Sequence, residues 1–85
     1  MPTVQIYATA VCPYCQRARR LLLRKGVTFE EIRVDRDRPQ MKVMISRSGR
    51  TTVPQIFIGD RHIGGYDDMA ALDSAGELDG LLAAD

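Results

Sequence analysis

The sequence predicts an α/β protein with a four-stranded mixed sheet flanked by helices, in the order β-α-β-α-β-β-α. Three observations predict it. Apolar runs at residues 3–8, 28–34 and 53–58 read as strands. The stretches between them carry apolar stripes at helical spacing, with a proline near the start and a glycine past the end. Gly59-Asp60 then offers a two-residue hairpin loop with glycine first. With 85 residues in all, residues 1–85 are expected to form one domain, with a radius of gyration of roughly 12 Å.

Each element has a local reason. In the first strand, Val4, Ile6 and Ala8 alternate onto one face. Pro13 fits the first turn of a helix that runs to about Lys25 and is closed by Gly26. Ala18, Leu21, Leu22 and Lys25 form its inward stripe, and Arg17, Arg20 and Arg24 face out. Thr28 to Val34 is a second strand with imperfect alternation. Asp37 caps a second helix with Pro39 just inside it, and Met41, Met44 and Ile45 make its apolar face before Gly49. Val53 to Ile58 and Arg61 to Ile63 form the hairpin. After Gly64-Gly65, Asp67 to Ser74 and Glu77 to Leu82 read as short helices.

Composition excludes several classes of function. The chain is 45% hydrophobic and 27% charged, the profile of a folded protein rather than a disordered one. No apolar run approaches the roughly 18 residues of a membrane span. Residues 1–5 lack a basic leader before a long apolar core, so no secretory signal is expected. The net charge of +1 conceals a split. Eleven of the twelve Lys and Arg precede residue 60 against four acids, whereas seven acids follow against Arg61 alone. Nucleic-acid binders usually carry a basic excess over the whole domain, and interleaved aromatics where they hold single strands. With 6% aromatic residues and segregated charge, this chain fits that class poorly.

The two cysteines stand together in Val11-Cys12-Pro13-Tyr14-Cys15. A bridge closing so short a loop restrains the unfolded chain little, so structural stapling is a poor reason for the pair. Zinc needs four ligands, and His62 is the only other good candidate, so no metal is expected. Covalent haem attachment needs a His where Gln16 stands. Redox chemistry is left. A right-handed βαβ unit makes the first two strands parallel and sets Cys12 in the loop before the first helix. The helix partial charge and its unpaired N–H groups favour a thiolate there. Cys15, one turn on, faces the same way and is less exposed. The expected roles are Cys12 as nucleophile and Cys15 as the resolver of a disulfide formed on it.

Cys12-Pro13-Tyr14-Cys15, Thr52-Val53-Pro54 and Gly64-Gly65-Tyr66-Asp67-Asp68 together resemble the dithiol glutaredoxins of the small bacterial class. The match runs over essentially the whole chain. It implies the thioredoxin fold, a single glutaredoxin domain, and a cis Pro54 facing the cysteines. It also implies a glutathione-dependent enzyme that reduces protein disulfides and protein–glutathione mixed disulfides. Glutathione is then a co-substrate rather than a bound cofactor, and glutathione reductase acts indirectly. Glutaredoxin couples at about −200 to −230 mV lie near or above the cytosolic glutathione poise, so a reducing, cytoplasmic location is expected. No coiled-coil pattern is present, so a monomer is expected, with neither nucleic acid nor membrane as partner.

Glutathione offers two carboxylates and one ammonium. By the resemblance, Thr52 and Val53 present backbone groups to its cysteinyl part as an added strand would, with Pro54 beside them. Gly65, Tyr66 and Asp67 open a helix whose N–H groups hold the γ-glutamyl carboxylate, with Asp67 on the ammonium. Tyr14 lines the groove, and the basic N-terminal portion meets the glycyl carboxylate. Two positions depart from the family pattern. Thr9 stands where a Lys is common, and Met41 falls where a Gln or a basic residue is expected, leaving Arg38, Gln40 or Lys42 to substitute.

Two other functions fit the same motifs. One is a glutaredoxin-like protein reduced by thioredoxin reductase, which the loss of the Lys favours and which Asp67 and Cys12-Pro13-Tyr14-Cys15 disfavour. The other is a dimer holding an iron–sulfur cluster through Cys12 and glutathione, which Pro13-Tyr14 disfavours. Blander roles are expected elsewhere. Asp68 reads equally as a helix-start acid. His62 reads as a polar strand residue, Met41 and Met44 as core. Arg17, Arg19 and Arg20 read as a solvated face, with Arg17 also a candidate to aid the thiolate.

Overall fold

The computed structural model describes residues 2–84. Its strands are β1 (Val4–Ala8), β2 (Glu30–Arg33), β3 (Gln55–Ile58) and β4 (Arg61–Gly64). Its helices are α1 (Pro13–Arg24), α2 (Arg38–Ser48), α3 (Tyr66–Ser74) and α4 (Leu78–Ala83). The strands form one sheet in the order β2-β1-β3-β4. β1 and β2 run parallel, as a helical crossover requires, with Tyr7 opposite Ile32. β3 lies antiparallel on the other side of β1, and β4 completes the hairpin. Gly59 takes a φ of 60° at the first loop position, the left-handed value that primed hairpin turns demand.

Strand alternation divides the core between the two faces of the sheet. Val4, Ile6, Ala8, Ile56 and Ile58 are buried with Leu21, Leu22, Met69, Leu78 and Leu82, beneath α1, α3 and α4. Tyr7 and Phe57 point the other way and pack with Val34 and with Met44 of α2. Among the described residues no helix is long and apolar enough to cross a membrane.

Four local expectations need correction. β2 is shorter than residues 28–34, because its ladder with β1 starts at Glu30 opposite Gln5 and β1 itself begins at Val4. β3 starts at Gln55 rather than Val53, since Pro54 has no N–H to offer a ladder. On α2, Met44 is fully buried but Ile45 is 37% exposed. Ile45 lies about 100° further round the helix and leaves the sheet. Lys25 ends the α1 stripe with an ion pair rather than apolar packing. Its ammonium reaches Asp73 at 2.6 Å and Asp79 at 2.9 Å, tying α1 to α3 and α4.

Candidate active site

The site begins with Pro13. Its missing N–H costs nothing at the first helical position, so α1 starts there and Cys12 becomes its N-cap. The Cys12 sulfur accepts a hydrogen bond from the Cys15 N–H at 3.1 Å, taking up one of the free donors of the first turn. It lies 4.0 Å from the Val53 carbonyl oxygen, and the Val53–Pro54 peptide is cis. Cys12 is 9% exposed, whereas Cys15 is wholly buried. Burial pushes the Cys15 thiol up to about 12, and its hydrogen bond with Cys12 acts in the same direction. One sulfur therefore sits at the rim, and the other is held protonated beneath it.

A groove of about 220 Å³ opens beside this pair. Tyr14, Thr52, Val53, Pro54, Gly65, Tyr66 and Asp67 all line it, so one surface collects residues from three distant stretches of chain. Gly65 caps α3, and the first N–H groups of that helix have no acceptor within it. The neighbouring acids divide their work. Asp68 accepts the Gly65 N–H at 2.9 Å and pairs with Arg50 at 3.0 Å. These contacts, the Gly65 N–H first, hold its carboxyl below the ordinary carboxylate range. Asp67 is exposed, with no ion-pair partner among the described residues.

Arg50 and Gln55 also line the groove, and sequence reasoning singled out neither. Gln55 is 1% exposed yet fully bonded. Its Nε2 donates to the Thr52 carbonyl at 3.0 Å and to Oγ1 of Thr52 at 3.3 Å, and its Oε1 meets His62 Nε2 at 2.7 Å. That network pins the segment leading to Pro54, and it gives His62 more than the plain strand role expected of it. The signal for Gln55 was present as the one amide in the apolar run 53–58. Arg50 carried no local signal; its place depends on Asp68, 18 positions on.

Several expected partners lie outside this groove. Arg38, Met41 and Lys42 line a separate cavity of about 420 Å³ with Val34 and Asp35. Gln40 faces another, along β2. Thr9 offers its carbonyl to Arg19 Nη2 at 3.3 Å. Arg19 is thus no solvated residue, because its guanidinium forks onto Glu31 at 2.7 Å in both contacts and braces α1 against β2. Arg17 sits with its guanidinium over the Tyr14 ring, 5.2 Å from the centroid.

Comparison with known proteins adds a second line. The family model described as glutaredoxin matches residues 4–63. The chain is 56% identical over 85 residues to a glutaredoxin of Pseudomonas aeruginosa, covering 99% of this chain and 100% of that one. Among solved structures it is similar to the glutaredoxin of Brucella melitensis, at 51% identity and a TM-score of 0.85, over 96% of this chain and 89% of that one. It is also similar to a buckwheat glutaredoxin–glutathione complex, at 27% identity and a TM-score of 0.88, over 95% of this chain and 76% of that one.

Proposed function

The chain belongs to the glutaredoxin family, and we propose that it uses glutathione to reduce protein disulfides and protein–glutathione mixed disulfides through Cys12 and Cys15. Membership makes it a thiol–disulfide oxidoreductase of the thioredoxin fold. The observation that carries the glutathione reading is the groove beside Cys12. It combines the Thr52-Val53 backbone just before β3, the N-terminus of α3, and Asp67, which has no ion-pair partner among the described residues. The backbone segment suits the cysteinyl part of glutathione, and the helix N–H groups with Asp67 suit a γ-glutamyl group with one carboxylate and one ammonium.

In the proposed reaction the Cys12 thiolate attacks the glutathione sulfur of a mixed disulfide. The old S–S bond breaks, the substrate protein leaves as a thiolate, and glutathione is now bonded to Cys12. The thiolate of a second glutathione attacks the glutathione sulfur of that bond, releasing glutathione disulfide and restoring Cys12. With a protein disulfide, Cys12 forms the mixed disulfide and Cys15 resolves it by attacking the Cys12 sulfur. Two glutathiones then reduce the Cys12–Cys15 bond. A Cys15 thiol pushed up to about 12 supports this order, since it stays protonated while Cys12 reacts first.

The glycyl carboxylate is assigned to Arg38 and Lys42 rather than Gln40. Their cavity includes Asp35, whose carboxylate accepts the N–H of Ala10, two residues before Cys12. A single domain, a monomeric state and a reducing cytoplasmic location complete the proposal; in such a compartment glutathione can regenerate the dithiol.

The test is NADPH-linked turnover of a glutathionylated peptide, run with glutathione and glutathione reductase and separately with thioredoxin reductase. Turnover only with glutathione, abolished in Cys12→Ser and retained in Cys15→Ser, is expected. Turnover only with thioredoxin reductase overturns the glutathione assignment.

A further inference from the structure

Outside the thiol site, one surface of α1 breaks a local rule without local compensation. Arg17, Arg20 and Arg24 recur at three- and four-residue spacing, so they share one face of the helix. Like charges at that spacing repel, by a few tenths of a kcal/mol per pair. None of the three is paired with an acid among the described residues, whereas Arg19, Lys25, Arg33 and Arg50 all are. The helix C-terminus compensates Arg24 alone. Among them lies Leu23, which is 64% exposed. These four residues and Tyr66 line a cleft of about 430 Å³.

The cleft is continuous with the proposed thiol site. Tyr66 belongs to both the cleft and the groove beside Cys12, and Arg17 lies over the Tyr14 ring at the groove's wall. Whatever is held on Cys12 therefore has its flanking chain beside three guanidinium groups that pair with no acid among the described residues, and beside an apolar floor. We propose that this cleft is a docking surface for an acidic segment of the protein substrate, carrying an apolar residue for Leu23, next to the cysteine that Cys12 engages. The proposal rests on the glutathione reading for the chemistry and on charge complementarity for the partner.

Geometry sets the spacing. Arg17 and Arg24 lie five and twelve positions beyond Cys12, which at about 1.5 Å per helical residue is roughly 8 and 18 Å along α1. An extended substrate chain covers about 3.3–3.6 Å per residue. Its acids are therefore placed about two to six positions from its reactive cysteine.

Two measurements test this. In the first, ¹⁵N-labelled protein is titrated with cysteine-free octapeptides, one of Glu, Asp and Leu and one with Lys in place of the acids. The acidic peptide is expected to shift the amides of Arg17, Arg20, Leu23, Arg24 and Tyr66, and the Lys peptide is not. In the second, glutathionylated peptides with acidic or neutral flanks are compared for kcat/KM with the wild type and with R20E/R24E, and again with R20Q/R24Q. A preference for the acidic flank of about tenfold at low salt is expected, shrinking as the Debye length falls toward ~8 Å at physiological salt. Both variants are expected to lose it while turning over the neutral peptide as the wild type does.

Equal shifts by both octapeptides, or a preference that survives R20E/R24E, overturns the proposal. So does displacement of the acidic octapeptide from the cleft by an equal concentration of an oligonucleotide, or by vesicles with equal accessible anionic lipid. Selective shifts at the cleft without turnover of either glutathionylated peptide would leave the docking surface standing and refute the glutathione reading instead.

Discussion

Asp67 and Asp68 are adjacent acids with different fates, and the difference lies in what each carboxylate touches. Asp68 is committed to the Gly65 N–H and to Arg50, while Asp67 is exposed over the groove. Asp68→Ala is expected to cost about 1 kcal/mol of stability by losing a bonded cap. The Asp68 contribution is present above the ordinary carboxyl value of 3.8 and is lost as pH falls below it through the depressed one. Asp67→Ala is expected to leave stability within about 0.5 kcal/mol and to raise the KM for glutathione roughly tenfold or more. Urea denaturation and steady-state kinetics on both variants separate the roles. Cys15 carries the opposite sign. Its folded value of about 12 stands above the ordinary 9.0, so the folded state holds that proton more tightly. Stability is full below pH 9 and is lost as pH rises from 9 toward 12. The urea midpoint of the reduced protein is expected to fall across that window more steeply than that of Cys15→Ser.

At the scale of elements, the junction between β4 and α3 sets the groove's far wall. Gly64 there has a φ of 116°, where side chains are strained, and a Cβ would lie 2.8 Å from Cγ of Asp68 and 3.0 Å from its Cβ. Gly64→Ala is expected to cost about 2 kcal/mol or more, by strain and by pushing Asp68 off the Gly65 N–H. A double-mutant cycle with Asp68→Ala then gives less than the sum of the two single losses, because the cap is already gone. Additive losses would show that Asp68 caps α3 independently of the turn. The opposite edge of the sheet is managed by charge. β2 exposes Glu30 and Glu31 and carries the Arg33–Asp35 pair, which deters pairing with another chain.

Across the whole molecule, the radius of gyration of 11.9 Å matches the roughly 12 Å expected for this length. Stability is concentrated on the α1–α3–α4 side, where the larger core cluster lies. α4 has only 6 residues, too few for a stable isolated helix, and it is held by buried Leu78 and Leu82. Leu78→Ala is expected to cost about 2–5 kcal/mol. At roughly 4–8 °C per kcal/mol for a domain of this size, the melting temperature falls by at least about 8 °C. No α4 residue lines the groove beside Cys12, so turnover per folded molecule is expected to stay unchanged. A melting temperature within a degree or two of wild type would show that α4 is not anchored as its burial indicates.

Features set within one turn or one strand were legible in the chain itself. Pro13 fixed where α1 begins and so made Cys12 its N-cap, Gly59 marked the hairpin, and the alternation of Val4, Ile6 and Ala8 marked the buried face. Backbone sterics and side-chain periodicity act over a few residues, so the local pattern carries them. Contacts between distant stretches followed another logic. Motif resemblance brought Thr52, Val53 and Asp67 to attention, but the split between Asp67 and Asp68 needed Arg50 in place. The Val53 carbonyl meets Cys12 across 41 positions, Arg19 finds Glu31 across 12, and Arg50 finds Asp68 across 18. Such pairings depend on the order β2-β1-β3-β4 and on how each helix lies over that sheet. Burial of the whole core fixes those relations at once, and no short window of sequence contains them.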